Sequence, residues 1–196
     1  MKFSKYLLAS AIIASLGSTA VNAADGTITF NGLVTASACT AIANVTTPDG
    51  TFQGPAPITA TLTLPPVAAS SLNLLAGTYA GQVPFSITLD GCLQATGLNN
   101  VRVLFTTASS PTGDPNVMAN TAAITPAADV AVAILQSNGN TQIDLNGGSA
   151  LDPGATLPTG TAAPLTLNYM AAYKSLSTSV TPGNVTGKAD FVISYF

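Results

Sequence analysis

Cysteine is the residue type of this chain best suited to covalent chemistry, and it occurs twice, as Cys39 and Cys92. A thiol pair can cycle between redox states, bind a metal ion or form a structural disulfide. A redox pair is more often spaced Cys-x-x-Cys, and a zinc site of the usual kinds needs further ligands such as histidine, which the chain lacks. In an exported chain the pair therefore predicts one disulfide, which closes a loop of about 50 residues and contributes on the order of 4 kcal/mol.

Aspartates are the other candidates for chemistry, because the acidic residues include no glutamate and the chain has no histidine. The missing histidine removes Ser-His-Asp and Cys-His arrangements and most transition-metal sites. Asp144 and Asp152 fall in one region, where two carboxylates could pair, and "DLNGGSALD" offers oxygen ligands of the kind a calcium loop uses. The acidic spacing of a calcium loop is absent, so the segment predicts a solvated turn. We expect no enzyme activity, no metal and no cofactor.

The first 23 residues indicate export. They have a basic start at Lys2 and Lys5, an apolar run over 6–16 and a small-residue cleavage pattern that ends at Ala23. The apolar run is shorter than the roughly 20 residues that a bilayer span needs. Residues 1–23 are therefore predicted to be a secretory signal peptide, with a cut after Ala20 as the less favoured alternative.

The composition describes one weakly charged domain. Charged residues make up 7% of the chain, and the formal net charge is −3. Soluble proteins are on average about 25% charged, so Thr, Ser, Asn, Gly and Ala must cover most of this surface. No basic patch is available for nucleic acid or anionic lipid. The length remaining after the signal peptide suits a single domain with a substantial core.

Short strands are predicted through most of the chain, because apolar and polar residues alternate in segments bounded by Gly, Pro and Asn. A helix of a turn or two is expected near 72–76, and the Ala- and Pro-rich stretch 109–129 predicts a long surface loop. Seven or eight strands in one domain predict an all-β sandwich. The predicted strands are 58–64, 83–92, 101–105, 130–135, 142–145, 165–173 and 188–196.

The two ends of the predicted domain carry unusual strands. After the signal peptide, Gly26, Ile28 and Phe30 alternate with polar residues, as in a strand with one buried face. The other end, "KADFVISYF", is strand-forming up to the last residue, although chain ends are normally frayed and polar. An apolar strand at such a position either lies inside a sheet or needs a partner from another chain.

At this point the sequence resembles a known family, the type 1 fimbrial major subunits, which are pilins of the chaperone-usher pathway. The resemblance rests on "ADGTITFNGLV" after the signal peptide, on Cys39, on "VPFSITLDGC" with the second cysteine, and on the ending "YMAAYKSLSTSVTPGNVTGKADFVISYF". Within that ending, Tyr195 is penultimate and Gly183 is fourteenth from the end, as in the family's terminal motif.

The resemblance implies an incomplete immunoglobulin-like β-sandwich that lacks its last strand, with 24–32 as a donor-strand arm and 33–196 as the pilin domain. It implies a periplasmic chaperone that first fills the resulting groove, an outer-membrane usher, and homologous subunits whose arms replace the chaperone in a linear polymer outside the cell. The residues implied are Gly26, Ile28 and Phe30 in the donor strand, and Gly183, Phe191, Ile193, Tyr195 and Phe196 on the terminal strand facing the groove or the chaperone, with the Phe196 carboxylate as the chaperone's anchor.

Two functions therefore remain open. The favoured one is a structural subunit of an adhesive fimbria that polymerises head-to-tail by donor-strand exchange. The alternative is a minor or adaptor pilin, or a self-contained secreted carbohydrate-binding module. A sugar-binding face usually presents exposed aromatic residues, and this chain has no tryptophan and 5 tyrosines.

Overall fold

The computed structural model describes residues 38–53 and 57–196, and they form ten strands and one helical turn. All strand pairs are antiparallel. The strands are β1 (Ala41–Thr47), β2 (Gly50–Gln53), β3 (Tyr79–Cys92), β4 (Asn100–Thr106), β5 (Met118–Ala119), β6 (Val130–Gln136), β7 (Gln142–Ile143), β8 (Ala155–Thr156), β9 (Ala163–Ser175) and β10 (Asp190–Tyr195), and the helix is α1 (Ala69–Leu72).

Two sheets face each other across the core. The larger sheet has the order β2-β1-β3-β9-β6-β5, with β7 also paired to β6, and the smaller has the order β10-β4-β8. β6 is buried along almost its whole length, as its unbroken apolar sequence requires. Val101, Val103 and Phe105 of β4 turn inward and pack against Ile87 and Leu89 of β3 in the main core cluster. The prediction of an all-β fold is confirmed.

Six of the predicted strands are present, as β3, β4, β6, β7, β9 and β10. A turn with Gly139 at a φ of +71° joins β6 to β7, and the amide of Gly139 donates to the carbonyl of Gln136 at 2.9 Å. One short helix is present, as α1, but it overlaps the predicted segment 72–76 only at Leu72, where it ends. The stretch 109–129 is mostly loop and contains only the two-residue strand β5.

The predicted strand 58–64 is wrong, because this segment forms no strand. Its apolar alternation is real: Ile58 and Leu64 are half-buried and pack against the main core cluster. Its main chain is held instead by a side chain, since the hydroxyl of Thr47 donates to the carbonyl of Thr61 at 3.0 Å. Alternation reports which face of a segment is apolar, whereas a strand also needs a neighbouring backbone.

The predicted disulfide is confirmed: Cys39, which precedes β1, is bonded to Cys92 at the end of β3. Main-chain hydrogen bonds flank it on both sides, from Thr40 to the carbonyl of Asp90 at 3.0 Å and from Leu93 to that of Ala38 at 2.8 Å. Within the two described ranges, no helix is long and apolar enough to cross a membrane.

Candidate functional site

Strand β10 lies at an edge of the smaller sheet. It pairs with β4 from Asp190 opposite Thr106 to Tyr195 opposite Val101. Among the described residues no strand pairs with its other side. The amide and carbonyl groups of that side are therefore a template onto which another strand can add.

The inward face of β10 is apolar and half-buried. Phe191, Ile193 and Tyr195 pack against the main core cluster, whereas Val192 on the opposite face is 61% exposed. Half-buried apolar residues from elsewhere in the chain contribute to the same cluster. We call the set of Ile58, Leu64, Phe191, Ile193 and Tyr195 the apolar rim.

Tyr195 connects β10 to the disulfide region. Burial raises the pKa of its phenol, and a hydrogen bond with the main chain of Cys39 partly opposes that rise. The end of β10 therefore lies against the segment that the Cys39–Cys92 bond holds in place.

Phe196 continues the pairing beyond β10. Its main-chain oxygen accepts hydrogen bonds from the amides of Asn99 and Asn100 at 3.0 and 2.8 Å, and its own amide donates to the carbonyl of Asn100 at 3.0 Å. The guanidinium carbon of Arg102 lies 4.5 Å from the centre of the Phe196 ring, as in a cation–π contact. The anchoring of a chaperone by Phe196 stays a prediction.

Gly183 lies in the loop before β10 and not on the terminal strand, so its predicted position is wrong. A Cβ atom there would lie 2.4 Å from the amide nitrogen of Ala127 and 2.6 Å from both the carbonyl carbon of Pro126 and the oxygen of Thr125. Only glycine allows two main chains to approach so closely. The requirement for glycine thus comes from the 120–128 loop.

Main-chain and side-chain hydrogen bonds hold that loop against the segment before β10. The amide of Asn184 donates to the carbonyl of Thr125 at 2.8 Å, and the amide of Ala127 donates to the carbonyl of Asn184 at 2.9 Å. The side-chain amide of Asn184 adds a bond to the carbonyl of Ile124 at 2.8 Å. Thr125 has a φ of +39°, which is rare for a β-branched residue. Sequence reasoning found no motif here, because these contacts join main chains.

The prediction that Asp144 and Asp152 occupy solvated turns is wrong. They are 9% and 5% exposed, and each has its own hydrogen-bond partners. Asp144 accepts from the Gln142 side chain at 2.8 Å and from the amide of Ala150 at 3.0 Å. Asp152 accepts from the amide of Val103 at 2.9 Å. Buried carboxylates with such partners act as structural links.

A second polar cluster connects β9 with the loops around it. The ammonium group of Lys174 lies 2.7 Å from a carboxylate oxygen of Asp114 and 2.7 Å from the side-chain oxygen of Gln142. The hydroxyl of Tyr79 donates to the same oxygen of Gln142 at 3.0 Å, and burial raises the pKa of this phenol. In the part of the chain that the structure describes, no group of three or more His, Cys, Asp or Glu side chains could hold a metal ion.

The proposed donor residues Gly26, Ile28 and Phe30 lie outside the described residues, as do the signal peptide 1–23 and the arm 24–32. Their roles stay predictions.

Comparison with known proteins decides the family. The model of a family described as fimbrial protein matches residues 28–196. The chain belongs to this family. The fimbrial protein is 34% identical to the major fimbrial subunit SMF-1 of Stenotrophomonas maltophilia strain K279a, over 90% of this chain and 95% of that one. It is 32% identical to the F17 fimbrial protein of Escherichia coli, over 94% of both chains.

Solved pilus structures share the fold of this fimbrial protein. A subunit from a chaperone-usher pilus studied for rod uncoiling matches with a TM-score of 0.53 and 19% identity, over 88% of this chain and 96% of that one. The P pilus rod subunit PapA matches with a TM-score of 0.51 and 16% identity, over 70% and 93%. The sheets described above are therefore those of an immunoglobulin-like pilin. The fimbrial protein is a structural pilin subunit.

Proposed function

We propose that this pilin polymerises head-to-tail, with residues 26–30 of one subunit adding as a strand to the free side of β10 in the next. The observation that carries the proposal is the combination of an unpaired strand edge, within the described residues, with the half-buried apolar rim beside it. Such an edge over an incompletely covered core is an aggregation hazard, and adding a strand from another chain removes it.

The arm has apolar residues suited to adding as a strand beside β10. In the strand that the sequence predicts for the arm, Ile28 and Phe30 share one face, and Phe191 and Ile193 share the inward face of β10. Burying two such side chains contributes about 1.5–3 kcal/mol each, and each main-chain hydrogen bond adds about 0.5–1.5 kcal/mol. Because the donating and accepting surfaces differ, the contact does not close on itself and builds a filament.

The route to the fibre follows from the same gap in the fold. A subunit with an uncovered rim needs protection before its neighbour arrives, and a periplasmic chaperone that supplies a temporary strand would give it. An outer-membrane usher would then exchange that strand for the next arm. The signal peptide 1–23 directs the chain into this route, and the product is an extracellular fimbria.

The test is deletion of residues 24–32 from the exported chain, expressed with its chaperone and usher. We expect this variant to bind the chaperone but to be unable to enter the groove of another subunit. A sharper pair is Ile28→Asp, which buries a charge, and Thr29→Asp as the matched control on the polar face. Fibres visible by electron microscopy should be lost with Ile28→Asp and kept with Thr29→Asp. Normal polymerisation of the deletion variant would disprove the role of the arm.

A further inference from the structure

Three large apolar side chains are mostly exposed on the folded protein. Leu74 and Leu75, which follow α1, are 80% and 68% exposed, and Ile124 in the 120–128 loop is 75% exposed. Scattered single apolar residues are normal on a protein surface, whereas several of them at one place mark an interaction surface. The position of Ile124 relative to the two leucines therefore decides what the three residues do.

Hydrogen bonds hold both segments against the chain that follows β9. The side-chain amide of Asn73 donates to the carbonyl of Val180 at 3.2 Å, and its oxygen accepts from the amide of Val180 at 2.6 Å. In the same segment, the side-chain amide of Asn184 donates to the carbonyl of Ile124 at 2.8 Å. The exposed residues therefore share the end of the sandwich where β9 ends and β6 begins. We call this the loop end, and it is formed by 73–78, 120–128 and 176–187.

The three segments of the loop end contain no charged residue. Of the two charged residues that adjoin them, Asp129 accepts a hydrogen bond from the hydroxyl of Ser177 at 2.9 Å, and the ammonium group of Lys188 lies 4.0 Å from the carboxylate of Asp190. The fully buried centres of protein contacts are depleted of charged residues, because a charge loses its hydration there. The loop end thus combines exposed apolar side chains with a lack of charge, as the centre of a protein contact does.

The opposite end of the sandwich is formed around the disulfide. β3 runs from Tyr79, next to the loop end, to Cys92, and its 14 residues span about 45 Å at about 3.3 Å per residue. Beyond Cys92, the amide of Gln94 donates to the carbonyl of Pro158 at 2.8 Å, which joins two loops. We call this the disulfide end, and it is formed by 38–39, 92–99 and 157–162.

The disulfide end is suited to an apolar partner. Its segments contain no charged residue, and Leu93, Leu98 and Pro158 on them are half-buried. Two charged groups lie beside it, the terminal carboxylate of Phe196 and the guanidinium of Arg102, whose carbon is 4.5 Å from the centre of the Phe196 ring. Because these two groups have opposite signs, their charges offset each other.

Chain length keeps the disulfide end of one subunit close to its neighbour. Residues 33–37 join the arm 24–32 to Ala38 at the disulfide end, and a chain of five residues reaches at most about 18 Å. That reach is less than half the length of β3. Once the arm lies beside β10 of another subunit, the disulfide end of the donor therefore stays near that subunit, at a high effective concentration.

Head-to-tail order determines which surface this end meets. Every subunit directs its disulfide end towards the subunit that receives its arm, so this end is already occupied. The subunit that donates an arm to it has to meet another surface, and in a filament that extends in one direction this surface is the loop end.

We propose that the exposed residues of the loop end are covered by the disulfide end of the subunit that donates its arm. The inference rests on the proposed function. Leu74, Leu75 and Ile124 then pack against the half-buried apolar residues of the disulfide end. An arm alone is a single line of attachment about which two subunits can tilt, whereas this second contact fixes the angle between them.

Cross-linking of engineered cysteines tests which ends meet. Leu75→Cys is combined with Thr96→Cys at the disulfide end or with Thr51→Cys on β2, and assembled fibres are treated with a short bismaleimide. On denaturing electrophoresis the first pair should give a ladder of covalent multimers, with at least about ten-fold more product than the second, because groups held together react at a high effective concentration. Leu75→Cys alone is the control and should give no multimers.

The outcomes separate this inference from the proposed function. Fibres that form normally but give no ladder from Leu75→Cys/Thr96→Cys, or equal product from both pairs, would overturn the contact and leave the addition of the arm in place. Dimers from Leu75→Cys alone would show that two loop ends face each other, which contradicts head-to-tail order and so the proposed function itself.

Charged substitutions test what the contact does. Leu74→Asp/Leu75→Asp leaves the core intact, because both side chains are exposed. Fibres should still form through the arm, but their persistence length, measured by electron microscopy, should be shorter. Thr51→Asp is the matched control and should leave the persistence length unchanged.

Two results would contradict this role of the loop end. An unchanged persistence length in Leu74→Asp/Leu75→Asp would mean that the contact does not fix the angle between subunits. Loss of the complex with the chaperone in this variant would mean that the chaperone, and not a second subunit, covers the loop end.

Discussion

The hydroxyl of Tyr169 donates a 2.6 Å hydrogen bond to the carboxylate of Asp152, and through it the two sheets are joined. Tyr169 belongs to β9 of the larger sheet, while the same carboxylate oxygen accepts the amide of Val103 on β4 of the smaller one. The Tyr169 ring also packs edge-on against Phe105, with centroids 5.3 Å apart. The facing sheets are therefore held by a polar contact inside an aromatic cluster.

Removing the Tyr169 hydroxyl should destabilise the fold. Tyr169→Phe keeps the ring contacts but leaves a buried carboxylate with one hydrogen bond fewer, which costs about 1–3 kcal/mol. Asp152→Ala should cost more, because it leaves the amides of Val103 and Gly154 unpaired as well. Guanidinium unfolding of the purified protein measures both, with Tyr195→Phe as a control at a less buried phenol. An unchanged unfolding midpoint for Tyr169→Phe would show that the hydrogen bond to Asp152 does not stabilise the fold.

Alkaline pH should weaken the protein through the same residue. Burial, and then the hydrogen bond to Asp152, raise the pKa of the Tyr169 phenol far above the value of 10.0 that it has when unfolded. A raised folded pKa contributes stability that is complete below pH 10 and declines as the pH rises further, because only the unfolded state then loses the proton. The temperature of half-unfolding should therefore decrease as the pH is raised above 10, and it should decrease less steeply in Tyr169→Phe. Equal slopes would contradict this assignment.

How far the sequence predicts the fold depends on whether a pattern is local. The alternation in 83–92 and the unbroken apolar run in 130–135 specify β3 and β6, because the pattern itself states which faces are buried. The segment 58–64 has the same alternation and forms no strand. Its state depends on a neighbouring backbone, which no local pattern contains.

Some features of the candidate site can likewise be predicted from the sequence, and others cannot. The apolar face of β10 and the disulfide follow from residue types and spacing, as predicted. The burial of Asp152 does not, because its partners Val103 and Tyr169 are far away in sequence and come together only when the sheets pack. A tyrosine in the middle of a buried strand was the available signal, since a buried phenol needs a partner.

Gly183→Ala should be destabilising although it adds one methyl group. The new Cβ would meet main-chain atoms of 125–127, which cannot rotate away, so the loop has to move and its hydrogen bonds with Asn184 lengthen. We expect a loss of about 1–3 kcal/mol in unfolding free energy. Gly187→Ala is the matched control, because its nearest atoms, at 3.1 Å, belong to the Val132 side chain. Equal losses in both variants would argue against a special role for Gly183.

Loss of the disulfide should affect both overall stability and the end of β10. The bond between Cys39 and Cys92 spans 53 positions. By the loop-entropy estimate, opening it lowers the free energy of unfolding by on the order of 4 kcal/mol. Because the phenol of Tyr195 is close enough to the main chain of Cys39 for that main chain to lower its pKa, the opened segment should also loosen the pairing of β10 with β4.

The double variant Cys39→Ala/Cys92→Ala is the cleanest form of this test, since both sulfurs are buried and alanine leaves no polar group behind. Its guanidinium midpoint should match that of the wild-type protein treated with a reducing agent. Amide exchange should rise first at 193–195 and only later at the centre of β6, which is held by β9 and does not depend on the disulfide. Equal acceleration of amide exchange in β6 and β10 would mean that the disulfide stabilises the whole sandwich and does not stabilise β10 in particular.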